Sequence, residues 1–162
     1  MFACLKRFWG YTQFRPWQED TILAILDEQE SLTILPTGGG KSLCFQLPAL
    51  LKDGMAVVIS PLISLMKDQV DGLKDMGIEA ECLNSSQTAS QQNAVIKRIQ
   101  NNEIKLLYIS PERLQTEETV QLLRSASLSF LWSMKPTVSA IGAMISGTNT
   151  ATWAILKIIS RE

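Results

Sequence analysis

Apolar and polar positions alternate along this chain in a repeating rhythm. Four short apolar runs, LTIL, AVVIS, IEAECL and KLLYIS, are each followed by an amphipathic stretch. Those stretches are KSLCFQLPALLKD, LISLMKDQVDGLKDM, TASQQNAVIKRIQNN and TEETVQLLRSA. Strand-then-helix repetition predicts an α/β fold, a parallel sheet with helices on both faces. Punctuation sharpens the borders. Pro16 suits the first turn of a helix over WQEDTILAIL, Gly77 follows a helix ending in KDM, and Thr88 is placed to cap the next one. Pro48 falls inside a helix and is expected to kink or shorten it.

The rhythm stops near Leu131. The tail WSMKPTVSAIGAMISGTNTATWAILKIISRE has no strand-helix alternation, and no acidic residue occurs from Thr119 to Arg161. An apolar stretch from Ala140 to Ile159 is broken by Asn149 and its neighbouring threonines, which argues against a spanning helix. We therefore divide the chain into a partial domain over 1–131 and a tail over 132–162 that does not continue it.

Composition narrows the function classes. A chain of 162 residues, 46% hydrophobic and 19% charged, fits one globular domain with a real core. Its 15 basic residues balance 16 acidic ones, so any contact with nucleic acid must be local. Cys4, Cys44 and Cys82 are odd in number and widely spaced, and the chain has no histidine, which excludes a disulfide framework and a zinc site. Lys6 and Arg7 interrupt the start where an export signal needs its apolar run. A cytoplasmic protein with reduced thiols is expected.

The stretch LTILPTGGGKSLCFQLPALL carries the chemistry. Between a strand and a helix, Gly38, Gly39 and Gly40 let successive backbone N–H groups face one point, where a phosphate can sit. Lys41 adds a point charge for the outer phosphates, and the Ser42 hydroxyl can ligate magnesium. The strict G-x-x-x-x-G-K-[ST] pattern is not met, because Leu35 stands where its first glycine would be. A glycine turn beside a chance lysine is the plainer alternative, and the strand-loop-helix context disfavours it.

L-P-T-G-G-G-K-S-L-C-F-Q-L-P-A-L-L resembles motif I of the RecQ family of superfamily 2 DNA helicases, with Thr37 inside it. Other blocks follow in the family's order. F-W-G-Y-T-Q-F-R-P-W-Q resembles the adenine-reading motif, which implies that Tyr11 and Arg15 sandwich the base while Gln18 bonds its edge. An amide offers one donor and one acceptor in a plane, as adenine requires. I-S-P-L-I-S-L-M-K-D-Q-V resembles motif Ia, E-C-L-N-S-S matches the next strand end, and L-L-Y-I-S-P-E-R-L resembles motif Ib. The resemblance spans about Leu5 to Phe130. It implies a RecA-like, P-loop NTPase domain that uses ATP and Mg2+ and holds single-stranded or partly duplex DNA. Ser60, Pro61, Ser64, Asn84, Ser110 and Arg113 are then its backbone-contacting residues. For any single serine, helix capping or turn chemistry serves equally well.

One part of the family pattern is absent. Hydrolysis needs carboxylates after the strand beside the cradle, supplied in the family by D-E-A-H soon after a segment like SLSFL. Here Leu131 is followed by W-S-M-K-P-T. Asp27 and Glu28 precede the cradle and read as solvated charges. Reading the codons from Trp132 onward one base out of phase, with synonymous codons chosen freely, permits V-D-E-A-H-C-I-S-x-W-G-H-D-F-R-x-E-Y. Two matches are forced: Met134-Lys135 must encode glutamate in that phase, and Met144-Ile145 must encode aspartate. A one-base frameshift or sequencing error near 127–131 is expected. The domain is then incomplete, with an uncovered strand edge and poor solubility. Three readings follow: the N-terminal part of a 3′-to-5′ RecQ-type helicase, a binding module without turnover, or a gene remnant. Another superfamily 2 translocase is the alternative family.

Overall fold

The computed structural model describes residues 1–34, 38–134 and 155–158. It contains β1 (Ser31–Thr33), β2 (Met55–Ile59), β3 (Ala80–Leu83), β4 (Leu106–Ile109), β5 (Leu128–Ser133) and β6 (Ile155–Ile158). Around them lie α1 (Phe2–Trp9), α2 (Gln18–Leu26), α3 (Lys41–Leu51), α4 (Ile63–Asp75), α5 (Ala89–Gln100), α6 (Pro111–Leu114) and α7 (Glu117–Ser125). The strands form one sheet in the order β1-β6-β5-β2-β4-β3, and each adjacent pair is parallel. The α/β reading holds.

The apolar runs are continuous because both faces of the central strands are covered. On β2, Ala56 and Val58 join the core beneath α3 and α4, whereas Met55, Val57 and Ile59 join the core beneath α5 and α7. β4 divides the same way, Leu106 and Tyr108 against Leu107 and Ile109. A smaller cluster of Leu5, Ile22, Leu43 and Leu47 seats α1 and α2 on α3.

Several borders match their sequence signals. Thr88 caps α5 in a reciprocal capping box with Gln91, and Gly77, at φ +74°, follows α4. Two expectations are corrected. Pro16 is not in the first turn of α2, which begins only at Gln18, after Trp17 adopts a left-handed φ of 64°. Pro48, expected to kink or shorten α3, lies buried inside it, and the helix runs on past it to Leu51. Packing of that helix face outweighs the donor that proline lacks. Neither α1 nor the single turn α6 was anticipated.

The place beside β5 that the sequence left without a strand is taken by β6, which pairs with β5 on one side and β1 on the other. That strand comes from the tail, and β5 itself runs past Leu131 to Ser133. Ala140 to Ile159 otherwise lies outside the described residues. Among the described residues, no helix is long and apolar enough to cross a membrane.

Candidate functional site

Parallel pairing brings the C-terminal ends of the strands to one edge of the sheet, where open α/β sheets bind ligands. Ile59 stands level with Ile109 and Ser133, and Leu83 with Ile109. Ser60, Asn84, Ser110 and Met134 follow those ends in four neighbouring strands.

The glycine loop expected to cradle phosphates lies between β1 and α3. Gly38 and Gly40 both take left-handed backbone angles, φ +77° and +75°, and Gly40 is the N-cap of α3. Lys41 is the first helical residue and Ser42 the second, so both stand in the turn whose free N–H groups attract anions. Thr37 lies outside the described residues. A β-carbon on Gly40 would come within 2.4 Å of Gln18 Nε2, whereas one on Gly38 would meet nothing within 4 Å. Gly40 is thus favoured by its backbone angle, and a β-carbon there would also have to push the end of the Gln18 side chain aside.

The segment before α2 is tied to that loop. Arg15 Nη1 donates to the Gly38 carbonyl at 2.8 Å, and Gln18 Nε2 donates to the Gly40 carbonyl at 3.1 Å. Gln18 Oε1 accepts from the Arg15 backbone N–H at 2.9 Å. Each end of the Gln18 amide is used once and keeps one further donor or acceptor. Tyr11, Arg15, Gln18, Gly40 and Ser42 line one cleft of about 260 Å³, together with Trp9 and Gln46. Tyr11 is 57% exposed, so its ring is open to a stacking partner.

None of the residues lining this cleft is acidic. Asp27 caps the far end of α2, and Glu28 pairs with Lys52 at 2.9 Å, so neither faces the cradle. At the end of β5, where a carboxylate would stand beside the phosphates, the chain has Trp132, Ser133 and Met134. Trp132 is fully buried against Phe45, ring centroids 4.8 Å apart, and its indole N–H has no partner among the described residues. Beside the Ser42 hydroxyl, the described residues lining this cleft offer no carboxylate, so the donor set does not fit a catalytic metal.

The residues expected along the strand ends divide by environment. Pro61 and Ser64 are exposed at the start of α4. Ser60 is buried and accepts from the Leu62 N–H at 3.4 Å. Asn84 is buried, its Oδ1 accepting from the Ser86 N–H at 3.0 Å and the Ser86 hydroxyl at 2.6 Å, so its side chain shapes its own turn. Ser110 is buried with its hydroxyl unpartnered. Arg113, its Nε also unpartnered, lines a groove with Gln100 and Glu118 between α5 and α7. The structure therefore brings Ser60, Asn84 and Ser110 to adjoining strand ends, with Pro61 and Ser64 following Ser60, while the Arg113 side chain lines a different groove although its backbone N–H bonds the Ser110 carbonyl at 3.1 Å.

Two features escaped the sequence reading. Gln46 is a buried amide on α3 that lines the cleft; its position between Phe45 and Leu47, in an otherwise apolar helix face, was the available signal. Cys44, one turn from the cradle, has its thiol pushed up to about 12 by burial and stays protonated.

Comparison with known proteins agrees with the fold. Residues 15–131 match the DEAD/DEAH box helicase model. The chain is 51% identical over 129 residues to ATP-dependent DNA helicase RecQ of Haemophilus influenzae, covering 80% of this chain and 21% of that protein. It is 44% identical over 123 residues to the Bacillus subtilis protein of the same name, covering 75% and 21%. The chain thus spans about a fifth of the length of these relatives. In fold it is similar to the Mycobacterium smegmatis helicase Lhr, solved with single-stranded DNA and AMP-PNP, at a TM-score of 0.73 and 20% identity over 97% of this chain and 24% of that one. A hypothetical ATP-dependent RNA helicase from Sulfolobus tokodaii gives a TM-score of 0.72 at 18% identity, over 99% of this chain and 50% of that one. The matched segment begins at the residue that ties the α2 arm to the cradle and ends on β5, and by it the chain belongs to the DEAD/DEAH box helicase family, in its RecQ-type branch.

Proposed function

We propose that this chain is the ATP-binding part of a RecQ-type DNA helicase that holds ATP and a DNA strand but turns over little nucleotide. The observation that carries it is the convergence of the Gly38–Gly40 loop, the α3 N-terminus and the half-used Gln18 amide on one cleft. Lys41 and Ser42 bind the phosphates, and Thr37 is assigned to the same site by resemblance; Gln18 reads the adenine edge between Tyr11 and Arg15. Ser60, Pro61, Ser64 and Ser110 track the DNA backbone along the strand ends, with Asn84 holding its loop in shape and Arg113 reached by reorientation. Single-stranded or partly duplex DNA in the cytoplasm is the partner, and repair or recombination the setting. Mg2+ would enter with the nucleotide and find Ser42.

Turnover fails for want of acids. Every 1.36 kcal/mol or so of lost transition-state stabilisation costs about tenfold in rate, and both carboxylates are absent. The test is titration with an ATP analogue and with a single-stranded oligonucleotide, alongside an ATPase assay. Binding of both ligands that Lys41→Ala weakens for ATP, with hydrolysis at background, is expected. DNA-stimulated hydrolysis that vanishes in Lys41→Ala would show a working enzyme instead.

A second reading has its own support. The buried indole of Trp132 with an unpartnered N–H is what a residue foreign to its site looks like, and it stands where the frame is expected to slip. The tail over 132–162 is then the product of a shifted frame and the chain a remnant of a full helicase gene. Resequencing the codons for Ser125 to Met144 decides this: one intact frame with no overlapping D-E-A-H frame excludes it.

A further inference from the structure

Gln46 is out of character for its surroundings. It sits in the apolar core-facing side of α3, is only 5% exposed, and lies next to Phe45, which packs on Tyr108 and Trp132. A leucine or methionine would fill that space without the cost of burying an amide. The amide is instead fully used as a donor. Gln46 Nε2 donates to Gln69 Oε1 at 3.0 Å and to Tyr108 Oη at 3.1 Å.

The three residues stand on three different elements with different ends. α3 begins at the cradle, with Lys41 and Ser42 in its first turn. α4, which carries Gln69, begins at Ile63, after Ser60, Pro61 and the cap Leu62, and has Ser64 in its own first turn. β4, which carries Tyr108, leads directly into Ser110. One amide therefore joins the helix that starts at the phosphates to both elements whose ends are proposed to hold DNA.

We propose that Gln46 is a positioning residue that couples nucleotide binding to DNA binding through Gln69 and Tyr108. This rests on the ATP- and DNA-binding reading above. A phosphate drawn to the N-terminus of α3 shifts its first turns as one piece, because the only backbone donor the helix lacks, at Pro48, lies beyond Gln46. Hydrogen bonds weaken steeply as distance and angle depart from their optimum, so Gln69 and Tyr108 must follow Gln46 or lose it. Apolar contacts alone would let α3 slide. Two directional bonds make the positions of α4 and β4 depend on that of α3, which is the discrete linkage that coupling between sites requires.

The test uses the full chain and the ratio of two affinities. A fluorescent non-hydrolysable ATP analogue is titrated with and without a saturating oligo-thymidine strand. In the unaltered chain the strand is expected to change analogue affinity at least about fivefold, the lower end of ordinary coupling. Gln46→Met keeps the volume and removes the donors, and should bring that ratio close to one. Gln69→Met, at a half-buried position, and Tyr108→Phe each cut one arm and should each lower the ratio; combined with Gln46→Met they should lower it no further. A merely structural Gln46 would move the melting temperature and both affinities but leave the ratio alone. An unchanged ratio in Gln46→Met and Gln69→Met, with both ligands bound, overturns the coupling and leaves the binding reading standing. Failure of the unaltered chain to bind either ligand overturns both.

Discussion

Gly40 and Trp132 show how much one position can decide. Gly38 and Gly40 share a left-handed backbone, but only Gly40 also has a side-chain amide in the space a β-carbon would take. Gly38→Ala should cost about 1–2 kcal/mol through its backbone angle alone. Gly40→Ala should cost more and also displace Gln18, so its ATP-analogue affinity should fall further; paired titrations and melting curves check the order. Trp132 poses the opposite case. A buried donor without a partner costs about 1–3 kcal/mol, so Trp132→Phe, which keeps a ring against Phe45, should unfold in urea with unchanged or greater stability. A large loss would mean that the indole N–H is satisfied. Cys44 adds a pH dependence. Its thiol is raised from 9.0 to about 12 by burial, so the folded state keeps a proton that the unfolded chain releases. The stability this contributes is complete below pH 9 and is lost as pH rises toward 12. Burial also raises the Tyr108 hydroxyl above its usual value, which acts in the same direction. Melting temperature should therefore fall between pH 9 and 11, and fall less in Cys44→Ala.

Among the elements, strands β1, β2, β3 and β4 were legible because each is a short apolar run bounded by a turn. Their helices were legible because charge and apolar residues separate by face. The α5 border is the cleanest case: Thr88 and Gln91 answer each other, and Thr88→Ala should cost about 1 kcal/mol in chemical denaturation. What failed was local rules meeting tertiary packing. Pro48 ought to interrupt α3, yet the residues around it are buried on the sheet and hold the helix together to Leu51. Pro16 looked like a helix start, but Trp17 turns left-handed so that α2 can bring Gln18 under Gly40. α1 went unseen because Leu5 is buried only where α2 and α3 offer Ile22 and Leu43 to receive it.

For the molecule as a whole, the tail is the part that sequence and structure describe differently. Its pattern belongs to no element, yet Ile155–Ile158 completes the sheet between β1 and β5. The uncovered face shifts to the β1 edge, where Leu32 and Ile34 are each 53% exposed. An apolar strand edge of this kind invites association. Soluble yield on low-temperature expression should be poor and should improve in Leu32→Lys, with size-exclusion chromatography as the readout; a cooperative, monomeric unaltered chain would contradict this. The cradle, the order of the blocks and the missing acids were decided by the residues themselves, because backbone freedom at glycine and charge at lysine are local properties. The single ligand edge, the groove that the Arg113 side chain lines, and the bridge from Gln46 to Gln69 and Tyr108 were decided only by the fold. Those depend on which strands lie side by side, and residues 23 and 62 positions apart meet only once the sheet has been assembled.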